Sequence, residues 1–581
     1  MKKKIALMAA VLMTSSNLVS AQGALSSQDK ATGQKPQALS LKKSGQEKIY
    51  KQSDKVRVVI EMEEKPAIQI AQAQNKRYST LSNAEKESIK DRLVSVQKSV
   101  KSAIAKKSIP VTYKESFTTV INGFSGEVKF GDIEDIKQLS GVKSVHIAHE
   151  YARPEVAKGA KPDMLYSKDM VNAKETWQDY GFKGEGTVVA VIDTGIDPSH
   201  KDMVLSPETK IDLTSSKVDS AKETKGLKGK YFTEKVPYGY NYADHDSEIR
   251  DLGAGASMHG MHVAGTVGAN GDEANGGIKG VAPETQLLAM KVFGNDPGMP
   301  STFSDIYIKA IDDAIALGAD VINMSLGSTA SFVNADDPEQ RAIVNAMNNG
   351  ILCAISAGNS AFAGHGAGNP YTANPDIGVV GAPGLTSQAL QVASLENTKL
   401  TLEGMALTID GQDAGYLAYQ KQDTPNPIAV FDKEKKDVVY VGDGQASNYE
   451  GKDVKGKVVF VVRNGGFNYG MIQAEAEKQG AAGVIVRGRV DHGDYVSMAL
   501  NNPTIPMVTL SIKDGNELEA KAKEGKAIAV TFDGKAVSAD NPVAGQMSDF
   551  TSWGVTPSLD FKPEITAPGG KIYSTLNDNE Y

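Results

Sequence analysis

The chain has 581 residues, of which 40% are hydrophobic and 23% charged, with a formal net charge of −8. Such a length holds several domains, and such a composition excludes long disorder and a membrane bundle. Charge is uneven: residues 1–150 carry 25 Lys and Arg against 15 Asp and Glu, leaving 38 against 56 for the rest. The acidic remainder argues against nucleic acid as a partner, and the basic front is suited to docking on it through complementary fields.

The start, MKKKIALMAAVLMTSSNLVSAQG, sets three lysines before an apolar run from Ile5 to Met13, with small residues at Val19 and Ala21. It reads as an export signal over residues 1–21. The run falls short of the roughly 20 residues that span a bilayer, and no later segment is longer, so no transmembrane anchor is expected. Cys353 is the only cysteine, which excludes an intramolecular disulfide and predicts a buried thiol in an exported protein. Residues 22 to about 50 lack apolar periodicity and read as a flexible lead.

From Lys55 the pattern is regular. KVRVVIEM (Lys55–Met62) reads as a strand, and Ser82 with Glu85 forms a capping box ahead of Ile89, Leu93, Val96, Val100 and Ile104 at helical spacing. Two strands follow between Ser116 and Phe130, then a short helix near Ile133 to Leu139 and a strand over Val142 to Ala148. The order β-α-β-β-α-β predicts a ferredoxin-like α+β unit, placed where a cleavable prosegment would lie.

After Gly184 apolar strands alternate with amphipathic helices, which predicts an α/β body: a mostly parallel sheet with helices on both faces. Its strands are Thr187–Ile192, Gln286–Val292, Asp320–Met324 and Ile351–Ile355, and its clearest helix is Phe303–Ala316. Around Leu400 a β-rich stretch with its own strand-helix-strand unit begins and ends near Asp540, so residues 398–540 read as an insertion into the body. PSLDFKPEITAPGG (Pro557–Gly570) then resumes without periodicity.

In open α/β sheets chemistry collects at the carboxyl ends of strands. Four such ends here are polar: VIDTGID with Asp193, HGMHVAG opening a helix at His259, NMSLGS with Ser325, Leu326 and Gly327, and AISAGN ending in Asn359. An ionised Asp193 accepting the Nδ1 proton of His259 would leave Nε2 free to take a proton from a nucleophile. The Asn359 amide could donate to a developing oxyanion, and Ser325–Gly327 could pair as an extended segment with a substrate strand. His259 and His262 lack the HExxH spacing and Glu of a zinc site.

These motifs, in this order, resemble the subtilisin family of serine proteases, from about Gly184 to the end. The preceding unit resembles the family's inhibitory propeptide, and Gly456–Val486 is similar to the protease-associated domain. With that insertion, and Met261 where many relatives have Thr, the chain looks most like the lactocepin group of cell-envelope proteinases in Gram-positive bacteria. The resemblance implies a secreted, cell-wall-associated, monomeric endopeptidase acting on protein or peptide substrates and made as a precursor inhibited by its own propeptide. It implies Asp193 as triad acid, His259 as base, Asn359 as oxyanion donor, and Ser325, Leu326, Gly327, Ser356 and Gly358 as substrate-binding residues. No cofactor is implied for the chemistry; a structural calcium is, with Asp202 as a candidate ligand alongside the loop Asn270–Val281.

The implied domains are a signal peptide (1–21), a propeptide (22–155), a catalytic domain (156–397 and 541–581) and the protease-associated insertion (398–540). One departure stands out. The family's nucleophile lies in a GTSMA-like motif soon after a stretch like ITAPGG, and the sequence reaches Tyr581 without it. The SMA at Ser497–Ala499 lies in the insertion without the preceding Gly-Thr and does not qualify. The polypeptide is therefore expected to be inert by itself; the alternative is a binding or adhesion protein on a protease scaffold without activity.

Overall fold

The computed structural model describes residues 50–581 except 155–163, 254, 329–330, 362–377, 422–423, 466, 497, 499, 501–502 and 571. The export signal and lead, and Ser497, lie outside the described residues.

The N-terminal unit is built from β1 (Lys55–Met62), α1 (Ala67–Ala73), α2 (Asn83–Lys106), β2 (Thr112–Phe117), β3 (Gly123–Lys129), α3 (Ile133–Lys137) and β4 (Val142–Ile147). The sheet order β2-β3-β1-β4, antiparallel throughout, is the ferredoxin-like arrangement. At the start of α2 both bonds of the capping box form: Glu85 N–H donates to Ser82 Oγ at 3.3 Å, and Ser82 N–H to Glu85 Oε2 at 2.8 Å. β5 (Glu150–Ala152) then leads into the body, past helices α4 (Met164–Met170) and α5 (Ala173–Tyr180).

The body carries β6 (Val188–Asp193), α6 (Ser215–Lys225), β7 (Tyr238–Asn241), α7 (His259–Gly268), β8 (Gln286–Lys291), β9 (Ser301–Phe303), α8 (Ser304–Leu317), β10 (Val321–Met324), α9 (Pro338–Asn348), β11 (Leu352–Ser356) and β12 (Leu390–Glu396). The insertion follows as β13 (Lys399–Ile409), β14 (Gln412–Tyr419), α10 (Pro427–Phe431), β15 (Lys436–Tyr440), β16 (Val458–Val462), α11 (Tyr469–Lys478), β17 (Gly483–Arg487), β18 (Met507–Leu510), α12 (Ile512–Lys523), β19 (Ile528–Thr531) and β20 (Ala536–Asp540). These eight strands make a sheet of their own, and β21 (Ile565–Gly570) returns to the body at the edge of its seven-stranded sheet, order β21-β12-β11-β10-β6-β8-β7. Every pair in that seven-stranded sheet is parallel.

Alternation along β6 shows why both faces are covered. Val188, Ala190 and Ile192 join the core formed with α8 and α9, while Val189 and Val191 join the core formed with α7. Within α8 every residue except Lys309 is buried, although a surface helix normally buries one stripe. The N-terminal unit explains this: the backbone N–H groups of Thr119 and Val120, between β2 and β3, donate to Asp312 at 2.8 and 2.9 Å.

Candidate active site

β6 ends at Asp193, which is fully buried, and the chain turns at once through Gly195 (φ 132°). A side chain there would run into the Ile249 carbonyl, so both space and φ require glycine. The first helical residue of α7 is His259, preceded by Met258 in the left-handed region (φ 56°). At Gly260 a Cβ would stand 2.6 Å from the Gly195 nitrogen and oxygen. Two glycines thus let the start of α7 rest on the end of β6, and Gly260 N–H donates to Thr194 Oγ1 at 2.9 Å.

That contact puts His259 Nδ1 at 2.9 and 3.0 Å from the two Asp193 oxygens. An ionised carboxylate only accepts, so Nδ1 carries the proton and Nε2 of the neutral ring keeps its lone pair. Thr194 N–H donates to Asp193 Oδ1 at 2.7 Å and helps to fix the carboxylate. Burial of the imidazole opposes its protonation, but the charge and hydrogen bond of Asp193, with Asp251 behind, outweigh it and raise the His259 pKa above 6.5. The ring is 20% exposed, and no side chain among the described residues hydrogen-bonds Nε2.

The other two strand ends lie side by side. β10 and β11 are paired, and beyond them Ser356 Oγ donates to the Leu326 carbonyl at 3.4 Å. Ser325 Oγ accepts from Asn323 Nδ2 at 3.1 Å. A Cβ on Gly327 would stand 2.6 Å from the Ala382 carbonyl, and Gly358 takes φ 113° while its carbonyl accepts from Ser552 N–H at 2.7 Å. Asn359 sits exposed in the bend after β11, its carboxamide without a hydrogen bond among the described residues. Asp193 and His259 are therefore brought together, as are the segments 325–327 and 356–358; no hydrogen bond joins Asn359 to either group.

Asp202 is buried, and its Oδ2 accepts from Ile278 N–H at 2.9 Å and from the Tyr581 hydroxyl at 2.7 Å. A calcium ion there would need further oxygens from the loop Asn270–Val281, which packs beside Asp202 with Asn270 N–H donating to its carbonyl at 2.8 Å. Among the described residues the one group of three acidic and histidine side chains close enough to share an ion is His149, Asp337 and Glu339.

Sequence reasoning missed the polar groups behind the pair. Lys291, the register partner of Asp193, is fully buried and donates to the Thr194 carbonyl. Burial pushes its pKa down to about 8 despite Asp251 at 3.8 Å. Asp251 in turn accepts from Met258 N–H at 2.8 Å and from Arg153 at 2.7 Å. A lysine directly after the apolar run Leu287–Met290 in QLLAMK was the available signal.

A parallel α/β sheet with an imidazole held by a buried carboxylate at its carboxyl edge belongs to the serine protease class. Residues 184–581 match the subtilase family, and the chain belongs to it. It is similar to the PII-type proteinase of Lacticaseibacillus paracasei, 38% identical over 547 residues that cover 92% of this chain and 28% of that one. It is also similar to the minor extracellular protease Vpr of Bacillus subtilis, 28% identical over 541 residues (90% of this chain, 58% of that one). The C5a peptidase of Streptococcus pyogenes is 32% identical over 417 residues, 70% of this chain and 34% of its own. The chain thus spans under a third of the length of the PII-type proteinase. Among the described residues no helix is long and apolar enough to cross a membrane.

Proposed function

We propose that the chain provides the acid–base part of a secreted serine endopeptidase that cleaves protein or peptide substrates. Asp193 holds the Nδ1 proton of His259, Nε2 takes the nucleophile's proton and returns it to the leaving amine, and Asp193 stabilises the imidazolium between the two steps. Asn359 donates to the oxyanion. The substrate lies extended along Ser325, Leu326 and Gly327, with Ser356 and Gly358 beside it. The observation that carries the reading is the 2.9 Å bond from His259 Nδ1 to a fully buried Asp193, with Nε2 left open.

The unit from β1 to β5 acts in this reading as an inhibitory propeptide of a monomeric precursor; its docking on α8 through Asp312 supports that. The insertion is taken as a protease-associated domain. The export-signal-like start and the extracellular Bacillus relative support secretion, with cell-wall association as part of the same proposal.

The reading assigns no nucleophile within residues 1–581. The polypeptide is accordingly expected to take up no serine-directed fluorophosphonate. A version joined to a GTSMA-type serine segment is expected to be labelled, and His259→Ala should abolish that labelling. Covalent uptake by the 581-residue polypeptide itself, or uptake by the joined version that survives His259→Ala, defeats the proposal.

A further inference from the structure

We infer that Asp251 is a positioning residue for His259, tied through Lys291 to the strand end that carries Asp193. The inference rests on the reading of Asp193 and His259 as an acid–base pair and adds what holds their separation.

Asp251 lies in the loop before α7 and is 1% exposed. Its Oδ2 accepts from Ser257 N–H at 3.0 Å, Met258 N–H at 2.8 Å and Ser257 Oγ at 3.4 Å. Ser257 and Met258 are the two residues that deliver the chain to His259, and Met258 has the left-handed backbone that a side chain disfavours. A turn of that kind persists where its surroundings hold it. Ser257 Oγ passes the constraint on by accepting from His259 N–H at 3.4 Å.

On the other side, Asp251 Oδ1 is 2.7 Å from Arg153 Nη1 and 3.8 Å from Lys291 Nζ. Lys291 pairs in register with Asp193 and donates to the carbonyl of Thr194, the residue whose N–H holds Asp193 Oδ1. The contacts close a ring: Asp193 to Thr194, Thr194 to Lys291, Lys291 to Asp251, Asp251 to the Met258 turn, and His259 back to Asp193. Asn577 Nδ2 fixes the Asp251 backbone from outside, donating to its carbonyl at 2.8 Å. A carboxylate needed only as a loop acceptor has no use for a buried lysine that spans to the neighbouring strand end, and burying that ammonium is costly unless it is paired.

The charged and titratable groups around the imidazole are Asp193 on β6, Asp251 in the preceding loop and His262 one turn along α7. Lys291 on β8 and Arg153, which follows β5, reach it through Asp251. Arg153 adds a countercharge from the segment after β5 and donates directly to Asp251 Oδ1 at 2.7 Å.

The test is side-chain NMR of the 581-residue polypeptide labelled with ¹⁵N-histidine, following ionisation of His259 and exchange of its Nδ1 proton. Asp193→Asn should lower the proton affinity of His259 about tenfold or more, since it removes the carboxylate in contact. Asp251→Asn should lower the proton affinity several-fold; Lys291→Met and Arg153→Ala remove positive charge, which by itself raises it, so the common readout is Nδ1 proton exchange, several-fold faster in all three variants. Lowered melting temperatures with Nδ1 exchange of His259 unchanged in all three variants would reduce Asp251 to a loop brace and overturn the inference, while the Asp193 response keeps the pair intact. An unchanged His259 in Asp193→Asn overturns the pairing and the inference together. If Asp251→Asn does not fold, Lys291→Met and Arg153→Ala decide by the same criteria.

Discussion

The crevice and the outer face of α8 and α9 both gather charge, and they spend it differently. Where the N-terminal unit covers those helices, polar groups are answered from across the boundary. Arg57 Nε is 2.8 Å from Asp305, Asn345 Nδ2 donates to the Val120 carbonyl at 2.6 Å, Tyr151 hydroxyl donates to Glu339 at 2.6 Å, and Arg341 pairs with Glu61. At the crevice Asp193 is equally buried, yet the imidazole it holds keeps one nitrogen uncommitted. A network paired across the boundary fixes how two units fit, even with Asp305 Oδ1 and Arg341 Nε buried without a hydrogen bond among the described residues; a site needs a group left over where substrate can reach it. Buried ion pairs at the covered face are expected to set registry more than to add net stability.

The sharpest way to break that comparison is to remove one partner of a covered pair. Asp305 is fully buried and Arg57 12% exposed at the side chain, so Arg57→Ala should cost about 3–5 kcal/mol in chemical denaturation, because it strands a buried carboxylate. The double change Arg57→Met with Asp305→Leu should recover most of that loss. A double variant as unstable as the single one would mean that the pair contributes strong net stability after all.

Next in size is Asp312. With its acceptors gone, Asp312→Ala leaves the N–H groups of Thr119 and Val120 buried and unpaired, a loss of about 2–3 kcal/mol. Asp312→Asn keeps one acceptor and should lose less. If alanine and asparagine behave alike, the hydrogen bonds are not what docks the unit on α8.

The two regions also differ in how far residue patterns reveal them. β1 was legible at both ends, Lys55 and Met62, because β-branched residues dominate it (Val56, Val58, Val59 and Ile60), and α8 departs from its expected range by one residue at each end. α1 was not legible: seven residues are too few for a helical period, and tertiary contacts make it, with Ala67 N–H donating to the Thr118 carbonyl. β21 reads ITAPGG, and a proline and two glycines argue against a strand; it survives at the edge, where only β12 must be paired. Asp193 and His259 stood out because each is polar where an apolar element ends or begins. Asp251 did not, since its use depends on a loop folding back on the Met258 turn, which no spacing encodes. Asn359 lies in a bend whose direction is likewise set by the fold.

The smallest expected effect tests whether the covered face responds to pH. His149 lies between Asp337, 3.7 Å from Nε2, and Glu339, 3.5 Å from Nδ1. The Glu339 hydrogen bond, against the cost of burial, raises the His149 pKa to about 9; burial, and then the charge of Glu339, raises that of Asp337 to about 6. A histidine whose pKa is raised on folding stabilises fully below its unfolded value near 6.5, and that contribution is lost as pH rises through about 9. Asp337, raised rather than depressed, favours its neutral form, so its contribution fades earlier, as pH rises from its unfolded value towards about 6. Between pH 6.5 and 9 His149 therefore contributes a falling component, set against a rising one from buried lysines such as Lys291, whose pKa burial lowers to about 8. The His149 side chain is 46% exposed, so solvent screening reduces the effect to about 1 kcal/mol. The difference between the parent and His149→Gln curves of unfolding free energy should fall across that window, and the Asp337 response should move to higher pH because the charge of His149 no longer lowers it. An unchanged slope would place the titrating group elsewhere and leave the covered face indifferent to alkaline pH.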